Sequence, residues 1–319
     1  MAVTASRRPA PSQRPAGVPG WRTVFGIGLL LWLASVVVTG LTENLTMIPT
    51  VILLGSFLVP ATAVIWYLDH YQSAELDPWR VFSAFLVGGV LGVLAASVLE
   101  AWLLSDGVLV YIGVGFLEEL SKLLALLVVA RGMARHTIRD GIVLGAAVGF
   151  GFAALESSGY AFGALLVREG AQVRLSLGSL VFAELLRGIL APLGHGVWTA
   201  IVGGVLFGAS RNGHLRVTGS VIGAYVFVSL LHGLWDSMRG IAMVLATLLT
   251  AVPVVQPGLG VVVLPPPPEK LVGTFVTIEI AGLLIVAVVG LAYLRRLWSS
   301  DPDTGESGAF VPEQLAERW

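Results

Sequence analysis

Residues 108–130 read VLVYIGVGFLEELSKLLALLVVA, an apolar run whose only charges are Glu118, Glu119 and Lys122. About 20 mostly apolar residues in helical form cross the hydrocarbon core of a bilayer, so the run is long enough to span. Its three charges near the centre cannot face lipid, because each costs roughly 2.5–3.5 kcal/mol at mid-bilayer on insertion scales. They must face protein or water. A spanning helix that hides a polar stripe belongs to a bundle, and the fold class predicted is all-α, a polytopic transmembrane helix bundle.

Working outward, further apolar stretches cover 22–41, 47–68, 81–104, 140–166, 179–210, 219–247 and 271–294, for about eight spans in all. The stretch 179–210 contains Pro192 and is predicted to break there. Its first part, with Glu184 and Arg187, reads as a half-helix. Composition agrees: 56% of the 319 residues are hydrophobic and 12% charged, with a mean hydropathy of +0.86. Soluble domains carry about 25% charged residues. A disordered chain, a nucleic-acid binder and an ordinary cytosolic enzyme are therefore disfavoured. The chain has no cysteine, which removes disulfides, a thiol nucleophile and thiolate metal ligands.

An even number of spans puts both termini on one side. Thirteen basic residues, from Arg7 to Arg318, fall in the segments on that side, against Arg168, Arg174 and Lys270 on the other. Lys and Arg accumulate on the cytoplasmic face, so both termini are expected to be cytoplasmic. Residues 1–21 read as a basic disordered segment, 22–297 as the transmembrane domain with its catalytic core at about 80–240, and 298–319 as an acidic disordered tail. Four prolines at 265–268 form a stiff polyproline run on the outer side.

Several charges lie where solvation energy forbids idle ones. Glu118, Glu119, Lys122, Glu156, Glu184, Arg187, His195, His232, Asp236, Arg239 and Glu279 all fall inside spans. Glu118 and Glu156 sit about 10 residues from the outer ends of their helices, and His195 and His232 about 15 and 13 from the inner ends. At about 1.5 Å per residue all four share one layer near mid-membrane. Adjacent Glu118 and Glu119 point about 100° apart, with Glu118 nearer Lys122 in angle. Gly149, Glu156 and Gly163 recur every seven residues, placing Glu156 on a small-residue packing face. Arg239 and Glu279 are expected to pair with each other, and Arg187 either to hold a substrate carbonyl or to pair with Glu184. Glu100, near the outer interface, needs no special role.

Two histidines plus a carboxylate, with another Glu nearby, form the ligand set of a catalytic zinc site, which leaves one position for water. On this reading His195, His232 and Glu156 bind the metal, and Glu118 or Glu119 takes the water's proton. Asp236, one turn after His232, could accept that ring's second N–H and fix its tautomer. Lys122 compensates one of the paired Glu residues. The same spacing permits a metal-free site in which a Glu pair activates water and the histidines form an oxyanion hole.

Four motifs occur in order: Glu118-Glu119-Leu-Ser-Lys122, Phe152–Glu156, Arg187 followed by Pro192-Leu-Gly-His195, and His232-Gly-Leu-Trp235-Asp236. In these the chain resembles the PrsW-type intramembrane proteases. The resemblance implies proteolysis of membrane-embedded or membrane-anchored proteins at a bacterial inner membrane, often regulatory ones such as anti-sigma factors. It departs at Ser157, where the family often has Asn. The CAAX-processing and bacteriocin-processing membrane proteases usually show EExxxR, one residue longer than the motif here, and provide the alternative without metal. A proton- or ion-coupled transporter would also use intramembrane Glu, His and Lys. Such carriers commonly show inverted repeats and paired broken helices, which this sequence lacks.

Overall fold

The computed structural model describes residues 19–301 apart from Gln72, Val108, Gly170, Ala171 and 251–267. Nearly all of the basic segment, most of the polyproline run and the acidic tail lie outside the described residues. The elements are α1 (Trp21–Thr42), α2 (Ile48–His70), α3 (Pro78–Val87), α4 (Val93–Leu103), α5 (Val110–Val129), α6 (Ile138–Leu165), β1 (Leu166–Glu169), β2 (Gln172–Leu175), α7 (Leu177–Ala191), α8 (Val197–Gly208), α9 (Gly219–Thr250) and α10 (Glu269–Ser299). A π-helical turn, Gly88–Gly92, joins α3 to α4, and another, Pro192–Gly196, joins α7 to α8.

Helix starts follow local chemistry. Pro78 opens α3 behind Asp77, whose carboxylate accepts the Arg80 N–H at 2.7 Å. Thr137 and Ser176 cap α6 and α7 in the same way, at 3.0 and 3.2 Å. The break expected at Pro192 is present. It takes the form of the π-turn Pro192–Gly196 within one span, Leu177–Gly208, and does not divide it.

Seven spans among the described residues are long and apolar enough to cross a membrane. The eighth is α5, 20 residues long, whose Glu118, Glu119 and Lys122 set it apart on composition and which the bundle buries. The all-α polytopic bundle is thus observed. The sequence reading did not foresee the antiparallel hairpin of β1 and β2, which pairs Leu166 with Leu175 and links α6 to α7.

Helix α6 is the central post, packed by α2, α3, α7 and α8. Leu126, Leu144, Leu206 and Phe207 form the middle of the main apolar core. Glycines four apart bring α6 and α8 together: a Cβ on Gly141, Gly145 or Gly149 would overlap the carbonyl oxygen of Gly203, Thr199 or His195. This approach seats His195 against α6, so packing and site are one feature. Gly145→Val should therefore reduce the yield of folded protein and lower its melting temperature, since the backbone of α8 cannot retreat as a side chain can. Gly163→Val is the control, because a Cβ at Gly163 meets nothing within 4 Å. Equal melting of the two variants in detergent would refute the close-packing account.

Candidate active site

On α5, residues three and four apart share a face, and Lys122 uses both spacings. Its fully buried ammonium donates to Glu118 Oε2 at 3.1 Å and to Glu119 Oε1 at 2.8 Å. The angular argument favoured Glu118, yet Glu119 is the closer, because the four-carbon stem of lysine reaches either neighbour. The ammonium also donates to His195 Nδ1 at 2.8 Å and lies 4.1 Å from the centre of the Phe152 ring.

The π-turn after α7 carries His195. Its Nδ1 accepts from Lys122, so its proton sits on Nε2, which meets Glu156 Oε2 at 3.0 Å. On α9, His232 Nδ1 lies 3.0 Å from Glu119 Oε1. Its Nε2 lies 3.5 Å from Glu118 Oε2 and 3.3 Å from Asp236 Oδ2. Trp198 on α8 tilts against the His232 ring at 4.7 Å between centroids, fixing that ring from the other side. Glu118, Glu156, His195 and His232, assigned to one layer by depth, are brought together here.

Three residues, Glu118, His195 and His232, offer ligand atoms within 4.8 Å of one another. The donors are a carboxylate and two imidazoles, the hard and borderline set that suits a divalent ion such as zinc. His232 Nε2 facing two carboxylates needs a proton or a cation between them. The residues therefore fit a metal, in competition with the Lys122 ammonium, which meets two of the three donors.

This set differs from the expected one in its carboxylate. Glu156 Oε2 meets Arg187 Nη2 at 2.6 Å as well as His195, and the converging group contains Glu118 rather than Glu156. Arg187 does not pair with Glu184. Its Nε donates to Ser157 Oγ at 2.9 Å, and its guanidinium lies 4.1 Å from the centre of the Tyr160 ring. Glu184 turns to α1 and accepts from Trp32 Nε1 at 2.8 Å. Asp236 faces Nε2 of His232, and Glu119 takes the Nδ1 side of the same ring. Arg239 and Glu279 do not pair: α9 turns Met238 toward Gly282 of α10, which directs Arg239 elsewhere.

The cluster opens to a cavity of about 370 Å³ lined by Glu100, Glu118, Phe152, Glu156, Tyr160 and Asp236, among others. Glu100 was read as an idle interfacial residue, and the structure places it in this lining. Its helix follows the π-turn at Gly88–Gly92, which rotates the face that α4 presents. No spacing rule signals that rotation.

A family model described as PrsW family intramembrane metalloprotease matches residues 77–262, more than half of the 319-residue chain. The chain belongs to the PrsW family. No curated protein and no solved structure matches it. The PrsW match runs from the cap of α3 past the end of α9, so it contains every residue of the cluster. It makes the protein a multi-pass membrane peptidase whose substrates are membrane proteins.

Proposed function

We propose that this PrsW-family member is a zinc-dependent intramembrane endopeptidase of a bacterial cell membrane, with both termini cytoplasmic, that cleaves membrane-anchored regulatory proteins of the anti-sigma-factor kind.

 The observation that carries the reading is the convergence of Glu118, His195 and His232, whose ligand atoms lie within 4.8 Å of one another, beside a cavity that Glu156 also lines. Zinc bound there would supply electrophilic stabilisation of the charge that develops on the scissile carbonyl.

The remaining roles follow from what each side chain touches. Glu118, His195 and His232 would hold the metal. Glu156 faces the cavity and takes the proton of the attacking water, then passes it to the leaving amine. Arg187, at 2.6 Å, aims that carboxylate. Glu119 does not line the cavity. It accepts from His232 Nδ1 and positions the ring, as outer carboxylates do for metal-bound histidines. Asp236 borders the cavity on the Nε2 side of the same ring.

One observation favours a second reading. The Lys122 ammonium already bonds to Glu118, Glu119 and His195, so a cation is present without metal. In that version Glu118 activates water and the enzyme works as a glutamate-type protease. Metal analysis separates the two. The zinc reading expects about one zinc per chain, loss of cleavage on chelation and recovery when zinc is restored. Full activity in metal-free, chelator-treated protein would leave the glutamate reading standing alone.

A further inference from the structure

We propose that a groove between α6 and α7 seats the membrane segment of the substrate protein, and that Arg239 selects segments with a carboxylate at their outer end. This rests on the protease reading above and adds to it the recognition of substrate.

The cavity beside the cluster adjoins a larger opening. Val93, Glu156 and Tyr160 line both the cavity and an open groove of about 1190 Å³. The outer halves of α6 and α7 form its walls, and the Glu156–Arg187 pair lies at its inner end. A chain lying in this groove reaches the reacting cluster without leaving the membrane.

The walls are shaped for a close-packed guest. Glycines in the inner half of α6 are filled by neighbouring backbone, as at Gly145 and Gly149. Gly159 and Gly163 line the groove, and a Cβ at either meets nothing within 4 Å. A glycine inside a helix is less favourable than alanine, and here no internal contact offsets it. Ser179 and Ala183 repeat the four-residue spacing on the facing wall. Small residues four apart are the surface against which a second membrane helix packs closely. The Gly163 face, expected to pack within the bundle, is therefore open.

Charge indicates the guest. Arg239 lies seven residues beyond His232 on α9, about 10 Å farther outward at 1.5 Å per residue. It is exposed, lines the groove, and has no ion-pair or hydrogen-bond partner among the described residues. Arg187 is already held by Glu156, Ser157 and Tyr160. A guanidinium at this depth is costly without a counter-charge, and its planar fork matches a carboxylate. A substrate segment with Asp or Glu at its outer end supplies that charge while filling the groove.

The absence of cysteine makes the test clean. Two single-span probe proteins are made, identical except for Glu or Lys at the outer end of the membrane segment, each with one cysteine in that segment. They are reconstituted in phosphatidylcholine vesicles with the full chain carrying Gly163→Cys, or Phe162→Cys as the exposed control outside the groove. Copper-catalysed disulfide formation should favour Gly163→Cys with the Glu probe by about tenfold. Adding Arg239→Glu should shift the preference to the Lys probe. Equal cross-linking at the two positions, or an unchanged charge preference in Arg239→Glu, overturns the proposal. Loss of the charge preference when phosphatidylglycerol is added would assign Arg239 to lipid phosphate and also overturn it. Cleavage is scored separately: probes that cross-link as expected but are never cut count against the protease reading, not against the groove.

Discussion

Glu156→Gln and Glu118→Gln are both expected to lose cleavage, and to differ in what is lost with it. Glu156 touches His195 and Arg187 and faces the cavity. As an amide it no longer takes a proton from water, and removal of a positioned base costs about 10²–10⁴ in rate. The three proposed ligands are untouched, so bound zinc should stay near one per chain. Glu118 is itself one of the three. Its amide is a poorer metal donor, so Glu118→Gln should lose zinc and activity together. Both changes preserve side-chain volume, and Lys122 keeps Glu119 in either variant. Rates of probe cleavage, zinc content and melting temperature on the same preparations decide the roles. A Glu156→Gln enzyme within tenfold of the parent would remove Glu156 as base. A Glu118→Gln protein that retains zinc would remove Glu118 as ligand.

Some of this was legible in the residues and some was not, for physical reasons. The spans were legible because water and lipid sort apolar runs without regard to partners. The layer holding Glu118, Glu156, His195 and His232 was legible because helical rise converts position into depth. The break at Pro192 was visible because proline removes a backbone donor.

Side-chain pairing across helices was another matter. Position on one helix does not say which neighbour it meets, and that depends on the close approaches between backbones. Gly149 against His195 sets the rotation of α6 on the turn that carries the imidazole, and Glu156 then meets Arg187 and His195. Glu100 was missed because the π-turn at Gly88–Gly92 changes the face of α4. Gly163 looked like a packing residue because a small side chain reads the same in an interface and beside an open groove.

Lys122→Met is expected to have the largest effect on the fold. The ammonium is fully buried and bonds to two carboxylates and an imidazole. Removing one partner from a buried charged cluster typically costs about 3–5 kcal/mol, because the charges left behind have lost their solvent as well as their counter-ion. Methionine matches much of the lysine volume, so the loss would be electrostatic rather than a cavity effect. Two companion measurements make this argument specific. Adding Glu119→Gln to Lys122→Met removes one uncompensated carboxylate and should recover part of the stability, a coupling that a double-mutant cycle reads directly. Zinc should also narrow the difference between Lys122→Met and the parent, since a divalent ion among Glu118, His195 and His232 compensates the same negative charge. Denaturant midpoints in detergent, with and without zinc, test both. A Lys122→Met protein as stable as the parent without metal would show that the carboxylates are neutral and that the cluster has no need of a cation, which would weaken the metal reading at its electrostatic root.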